Sequence, residues 1–345
     1  MQNLQKPDRS IETIHFFQDP TYADLREGSR WKPEFHRFTQ NDIEVGQAIL
    51  MRRKLRFLPF EVLMVLFGPK LHSKDPEKFR FVIAELKKIG RKRGYLYVAI
   101  QPYFFVNSEF AHVLEEEGFK SREDHILYRH TVLIDLTPSE EEIFRHFKDS
   151  LRSEMRRAMK SGLEVRLNEG PPCVETFYLL YRGSYQRSRG AYQSKEYFEK
   201  VWKTLAPKRE AIFAIGYIQG KPAAGALMGF AHGNMIYLCG GTCADKELTW
   251  FRPNEGLHWE LIQLAKKWGC KFYDLGGANP EPQEGSKSSG ISHFKRKFGP
   301  VHSLIGYYQC DLRPILANTI QQLMPTIRWM GRNLRRSEET DYNMM

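Results

Sequence analysis

The chain has few cysteines and no long apolar run. Five cysteines in 345 residues, Cys173, Cys239, Cys243, Cys270 and Cys310, fit no metal-ligand spacing. Nor do they form the even-numbered framework of a small secreted scaffold, so they read as reduced cytosolic thiols. The longest apolar stretch, FLPFEVLMVLFG, is interrupted by Glu61 and falls short of the roughly 20 residues that cross a bilayer. The opening MQNLQKPDRSIETIHFF lacks the basic and apolar regions of a secretory signal. A cytoplasmic protein with no transmembrane segment is expected, with room for peripheral contact at the inner face of the membrane. Motifs of covalent and metal chemistry are also missing. No GxSxG, papain-like Cys environment, Walker A loop or HExxH occurs. The loop that grips the pyrophosphate of acetyl-CoA has no match either, which disfavours a CoA donor. We expect no metal and no organic cofactor.

What is present is an ordinary globular composition on a chain too long for one core, so two domains are expected. Hydrophobic residues make up 41%, charged residues 27% and aromatics 13%, too apolar for disorder. Lys plus Arg outnumber Asp plus Glu by 52 to 41, a formal charge of +11. That excess favours an anionic partner: tRNA, a pyrophosphate or an acidic membrane.

Hydrophobic periodicity gives mixed α/β elements. Phe79, Val82, Leu86 and Ile89 recur at helical spacing before a glycine stop and the strand YLYVAIQ. Leu257, Leu261, Leu264 and Trp268 repeat that pattern before Gly269 and KFYDLGG. Lys87-Lys88-Ile89-Gly90 and Lys266-Lys267-Trp268-Gly269 punctuate the two units alike, as in a duplicated domain or in two unrelated amphipathic helices. Between them HTVLIDL reads as a strand, and a capping box of Ser139 and Glu142 opens one helix expected to run to Gly162. Its stripe of Ile143, Phe147, Leu151 and Met155 leaves a basic surface of Arg145, Lys148, Arg152, Arg156, Arg157 and Lys160, either a solvated face or an RNA contact. Strands AIFAIGYIQ, KPAAGALMGFA and MIYLCGG follow, joined by Gln219-Gly220 and His232-Gly233-Asn234, and predict a largely antiparallel mixed sheet covered by helices. The Pro-, Gly- and Ser-rich ANPEPQEGSKSSGISHFK reads as a mobile loop beside a site. From Leu312 on, Ile320, Leu323, Ile327 and Leu334 outline a C-terminal helix with five arginines around it.

The block GCKFYDLGG, a variable loop, then FKRKFG at Phe294–Gly299 resembles the FemABX peptidoglycan aminoacyltransferases, whose signature is Gly-Cys-x-x-Tyr-Asp-x-Gly-Gly followed by Phe-Lys-x-x-Phe. RSEMRRAMKSGLEV, FGPKLHS and MIYLCGGT resemble further segments of that family in the same order, covering almost the whole chain. The resemblance implies tandem GNAT-like domains: residues 1–160, completed by helix 312–345, and residues 161–311. It implies an aminoacyl-tRNA donor and a UDP-linked or lipid-linked muropeptide acceptor held between the domains. The coiled-coil arm of some members has no heptad counterpart here.

Carried over residue by residue, the resemblance makes Lys295 the motif lysine. Aminolysis of a tRNA ester passes through an oxyanion that a positioned cation stabilises by roughly 3–4 kcal/mol; the plain alternative is a surface lysine in a basic tetrapeptide. Asp274 either orients Lys295 and accepts a proton or forms a turn before Gly-Gly. Phe294 and Phe298 are expected to fix the backbone by packing, Phe298 in the core and Phe294 there or against the nucleotide end. Arg189 and Arg26 are expected to grip phosphate, with Arg187 competing for the first role. Tyr237 is expected to line the substrate site, and Tyr192 either lines it too or serves a plain packing role. Cys239 stands where the family's Tyr-x-Tyr-Gly-Gly has its second tyrosine, removing a hydroxyl donor. Arg152, Arg156, Arg157, Arg296 and Lys297 are candidate tRNA contacts. The ester is already activated, so alignment alone can supply about 7–11 kcal/mol without an acyl-enzyme. Two other readings stay open: a tRNA- or CoA-dependent N-acyltransferase acting on a small molecule or lipid, and a non-enzymatic RNA-binding protein.

Overall fold

The computed structural model describes residues 15–322 apart from 26–30, 56–57, 74, 104–108, 123–126, 189, 191, 232, 282–286, 305, 318 and 321. The described chain divides into two units. The first combines residues up to Leu127 with those from Leu304 onward; the second runs from Tyr128 to Ser303.

In the first unit α1 (Pro20–Leu25) precedes a hairpin of β1 (Trp31–Gln40) and β2 (Ile43–Lys54). Its turn residues Asn41 and Asp42 both take left-handed φ, which a two-residue hairpin connection requires. β3 (Glu61–Leu66) and a short β4 (Lys70–Leu71) both pair with β2. Helix α2 (Pro76–Lys92) starts where Asp75 accepts the Glu77 N–H with Pro76 in the first turn, and it buries Phe79, Val82, Ile83 and Leu86. It leads to β5 (Tyr97–Gln101), which runs parallel to β3. α3 (Glu109–Glu116) and β6 (Lys120–Arg122) follow. Between β5 and β6 lies β14 (Tyr307–Asp311), antiparallel to both, giving the order β1-β2-β3-β5-β14-β6.

The second unit opens with β7 (His130–Asp135), α4 (Glu140–His146) and α5 (Asp149–Lys160). β8 (Glu164–Leu167), α6 (Pro172–Arg187) and α7 (Lys195–Leu205) come next. The meander β9 (Ala211–Ile218), β10 (Lys221–Ala231) and β11 (Asn234–Thr242) precedes α8 (Lys246–Trp250), α9 (Pro253–Lys267) and β12 (Phe272–Gly277). α10 (Lys287–Lys295) and β13 (Val301–Ser303) close the unit. The sheet order is β13-β7-β12-β11-β10-β9-β8, with β11 and β12 parallel.

The two sheets share one plan. In each, three antiparallel strands lead through a helix to a strand parallel with the third, and the next helix leads to an edge strand. The similar punctuation at Gly90 and Gly269 therefore marks equivalent helices, as a duplication predicts. The final strands are exchanged. β7 follows β6 but enters the second sheet, whereas β14 follows β13 and returns to the first.

Three expectations are corrected. The units meet near residue 127 rather than 160, because Ile143, Leu151 and Met155 of α4 and α5 share a core with Leu257, Leu261 and Ile262 of α9. The helix expected from Ser139 to Gly162 keeps its capping box but breaks at Phe147, whose buried ring packs on Trp259 and Phe298 while the Lys148 N–H donates to the Lys297 carbonyl. The segment read as a mobile loop is helical from Lys287: Ser292 and Lys295 are buried three residues apart while Ile291 faces out. Of the C-terminal helix, residues 314–317, 319–320 and 322 are helical, and everything beyond 322 lies outside the described residues.

Candidate active site

The site starts as a fault in the sheet. β11 and β12 pair from Asn234/Phe272 only to Ile236/Asp274. Beyond that the β10–β11 register shifts at Leu227/Met228, leaving Leu238 as an extra residue, and the β12–β7 register slips between Asp274 and Gly277. Gly276 takes φ +69, and a Cβ there would sit 3.2 Å from the Tyr237 carbonyl. A side chain at Gly277 would run into Tyr128 at 2.8 Å. The Gly-Gly pair thus lets the strand turn sharply against its neighbours.

Asp274 braces this turn. It is buried, and its carboxylate accepts the Gly276 N–H at 2.8 Å and the Thr131 hydroxyl. Of its two expected roles, the turn-forming one is what these bonds describe, while its charge also favours the ammonium of Lys295.

α10 delivers Lys295 to the same place. Only 7% exposed, its Nζ donates to the Gly277 carbonyl at 2.8 Å and lies 5.5 Å from the centre of the Tyr237 ring. The plain alternative of a surface lysine is thereby set aside. Desolvation pulls the ammonium down to about 8, with Asp274 opposing it. An amine that titrates near neutrality can present a cation to a developing oxyanion or carry a proton. Burial pushes the Tyr237 phenol and the Cys239 thiol well above their usual ranges, so neither ionises near neutral pH.

Behind this group lies His258 of α9, fully buried. Its Nδ1 shares a 2.6 Å hydrogen bond with the Tyr273 hydroxyl. Its ring meets those of Tyr237 at 4.8 Å and Phe294 at 5.4 Å. Phe294 also packs on Phe298 at 5.2 Å, and Phe298 is in the core as expected. Lys295, Asp274, Tyr237 and Phe294 therefore converge. Tyr273, quoted only as the tyrosine of the motif, joins them, as do His258 and Thr131, which were not singled out because a lone histidine among LHWEL and a threonine inside a strand read as core.

The other candidates stand elsewhere. Tyr192 is 42% exposed, its hydroxyl accepting from the Gln186 side chain. Arg189 and Arg26 lie outside the described residues. Arg187 donates to the carbonyls of Thr242 and Cys243, closing the end of β11. Arg152 is held by Asp149 and the Arg145 carbonyl; Arg156 lies over Phe144 and Arg157 over Trp250. Arg296 is half-buried. Lys297 is committed inward, its ammonium 2.7 Å from Glu154 and 3.7 Å from Glu255. Among the described residues no group of His, Cys, Asp or Glu could hold a metal ion, and no helix is long and apolar enough to cross a membrane.

A model of the FemAB family matches residues 8–221 and 217–324. The chain belongs to the FemAB family. Among the relatives it resembles is the lipid II:glycine glycyltransferase of Staphylococcus haemolyticus, 23% identical over 359 residues, covering 82% of this chain and 84% of the relative. The protein of the same name from Staphylococcus epidermidis strain RP62A is 21% identical, covering 89% and 90%. A crystal structure of FemX superposes with a TM-score of 0.82 at 18% identity, covering 90% of this chain and 96% of FemX. The C-terminal domain of a putative lysylphosphatidylglycerol synthetase from Agrobacterium fabrum is more distant, at 0.53 and 14%. The FemX likeness extends the mixed α/β fold of this FemAB member through both units.

Proposed function

We propose that this FemAB protein is an aminoacyltransferase of peptidoglycan cross-bridge formation, moving an aminoacyl group from aminoacyl-tRNA to an amine of a lipid-linked muropeptide precursor. The observation that carries the reading is Lys295, the lysine of the Phe-Lys-x-x-Phe motif, drawn into a buried position at the fault between β11 and β12. The names of the relatives, lipid II:glycine glycyltransferases, supply the acceptor class and make glycine the first amino acid to try.

An ester donor and an amine acceptor need alignment, a cation for the oxyanion and a route for one proton. Lys295 provides the cation from a site where burial strengthens its field. The attacking nitrogen forms the new amide bond, the ester bond to the tRNA ribose breaks, and the ribose hydroxyl leaves with a proton. The proton lost by the amine passes to that oxygen, directly or through a neutral fraction of Lys295. Desolvation creates that fraction near pH 8. Lys295 also has the Gly277 carbonyl to return to, which fixes its resting position. The exposed basic groups Arg145 of α4, Lys148 between the helices, and Arg156 and Lys160 of α5 supply the electrostatic attraction for a polyanionic donor.

The test offers purified protein a set of tRNAs charged with labelled amino acids, together with either lipid-linked or nucleotide-linked precursor. Label on the lipid-linked precursor, dependent on the charged tRNA, is expected. Label on neither precursor from any charged tRNA, with the protein folded, would overturn the reading, and label on the nucleotide-linked one alone would reassign the acceptor.

A further inference from the structure

Three features of His258 do not belong together in an ordinary core. It is completely buried, its Nδ1 is tied to Tyr273, and its Nε2 has no hydrogen-bond partner among the described residues. A buried ring nitrogen left unpaired is a cost that folded proteins rarely carry without a use. An apolar side chain of similar size would fill the same space without it.

The surroundings identify the use. His258 packs nearly perpendicular to Tyr237, at 78° and 4.8 Å, and against Phe294, the residue before Lys295. Tyr237 is the ring over which the Lys295 ammonium lies. The Tyr273 hydroxyl also approaches the Met228 sulfur at 3.8 Å. When that hydroxyl donates to sulfur, Nδ1–H of His258 donates to the phenol oxygen, and Nε2 is left as a bare acceptor. The groups facing the imidazole are the rings of Tyr237 from β11, Tyr273 from β12, Phe294 from α10 and Phe298 just after it, with the Lys295 charge close enough to be felt. One turn earlier on α9, Glu255 is engaged by Lys297. The phenols and the Cys239 thiol are neutral, and Asp274 is occupied by Gly276 and Thr131.

We propose that His258 is a positioning residue for Lys295: a permanently neutral imidazole, locked by Tyr273, that fixes the Tyr237 and Phe294 rings and offers Nε2 as a lone pair to the buried ammonium. It works as a dipole rather than as an acid or base. Burial and the charge of Lys295 hold its own ionisation down at about 3, so it never competes for the proton that Lys295 carries. The inference rests on the proposed role of Lys295, but it is tested without turnover.

The experiment uses full-length protein labelled with ¹³C at lysine Cε, with the Lys295 resonance assigned by its loss in Lys295→Arg, and follows its titration from pH 6 to 11. His258→Phe keeps the bulk and removes the lone pair. Its Lys295 midpoint is expected to fall by roughly one pH unit, because a buried cation loses a polar neighbour. His258→Gln, which restores an acceptor, is expected to stay close to wild type. Should His258→Phe not fold, Tyr273→Phe makes the same test, since a freed Nδ1 unlocks the ring and lowers the midpoint in the same direction. Equal midpoints in wild type and the folded apolar variant would overturn the proposal. A transfer assay then separates the two claims. Wild-type transfer with unchanged midpoints sinks the His258 role alone, and shifted midpoints without any wild-type transfer sink the aminoacyltransferase reading alone.

Discussion

Lys295 is held where an ammonium is least comfortable, and that discomfort is measurable. Its folded ionisation is pulled below that of a free lysine, to about 8, so the folded protein binds its proton less tightly than the unfolded chain does. Charged Lys295 therefore costs stability below pH 8, on the order of 3 kcal/mol, and the cost fades as pH rises toward the free-lysine value. Lys295→Met should unfold at higher urea than wild type at pH 7, with the gap narrowing at pH 10, and it should abolish transfer. A variant less stable than wild type at pH 7 would contradict this burial cost. Lys295 and Phe298 were legible because their block resembles the Phe-Lys-x-x-Phe motif of the family. Two things were not legible. Asp274 could be read as orienter or turn former, and only the structure shows its bonds to Gly276 and Thr131 beside its charge acting on Lys295. His258 is one polar residue on an otherwise apolar face, a pattern that local sequence cannot tell from a satisfied core histidine.

At the scale of elements, most of what periodicity predicts is present. β7, β9, β10, β11 and β12 lie where alternating or continuous apolar runs placed them, and Ser139 caps α4. The failures come from tertiary partners that no local window contains. The helix breaks after His146 because Phe147 is drawn against Phe298, and the Ser-rich segment before Phe294 becomes α10 because one face of it packs inward. Lys297 shows the same limit. Counted within a basic tetrapeptide it looks like an RNA contact, but its partner Glu154 lies 143 residues earlier, and Glu255 faces it from α9. Burial already raises the Glu255 carboxyl above its ordinary range, with Lys297 counteracting. Lys297→Ala leaves Glu154 with Arg252 at 3.8 Å as its remaining cation and takes the nearest ammonium from Glu255, and the expected loss is about 3 kcal/mol in equilibrium urea unfolding. Filter-binding affinity for tRNA should change little in that variant. A large loss of tRNA affinity with unchanged stability would return Lys297 to the RNA-binding surface.

At the scale of the whole molecule, the two sheets repeat one plan with their final strands exchanged. The repeat was visible in the paired helix–strand units, but the exchange was not, since HTVLID and YYQCD carry nothing that assigns either strand to one sheet. β14 joins β5 to β6 in the first unit after the chain has completed the second. Removing residues 304–345 should therefore strip hydrogen-exchange protection from β5 and β6, with β7 and β12 keeping theirs; full protection of β5 would contradict the role of β14. The repeat also locates the chemistry. Both units have a parallel strand pair, yet the buried lysine belongs to the second, where β12 departs from β11 and α10 brings in Lys295. The most direct measurement of that assignment is single-turnover transfer from glycyl-tRNA to lipid-linked precursor by wild type and Lys295→Ala at equal, saturating substrate. The account predicts a rate about 10²–10³-fold lower in the variant, with both substrates still bound. Transfer at the wild-type rate would contradict it.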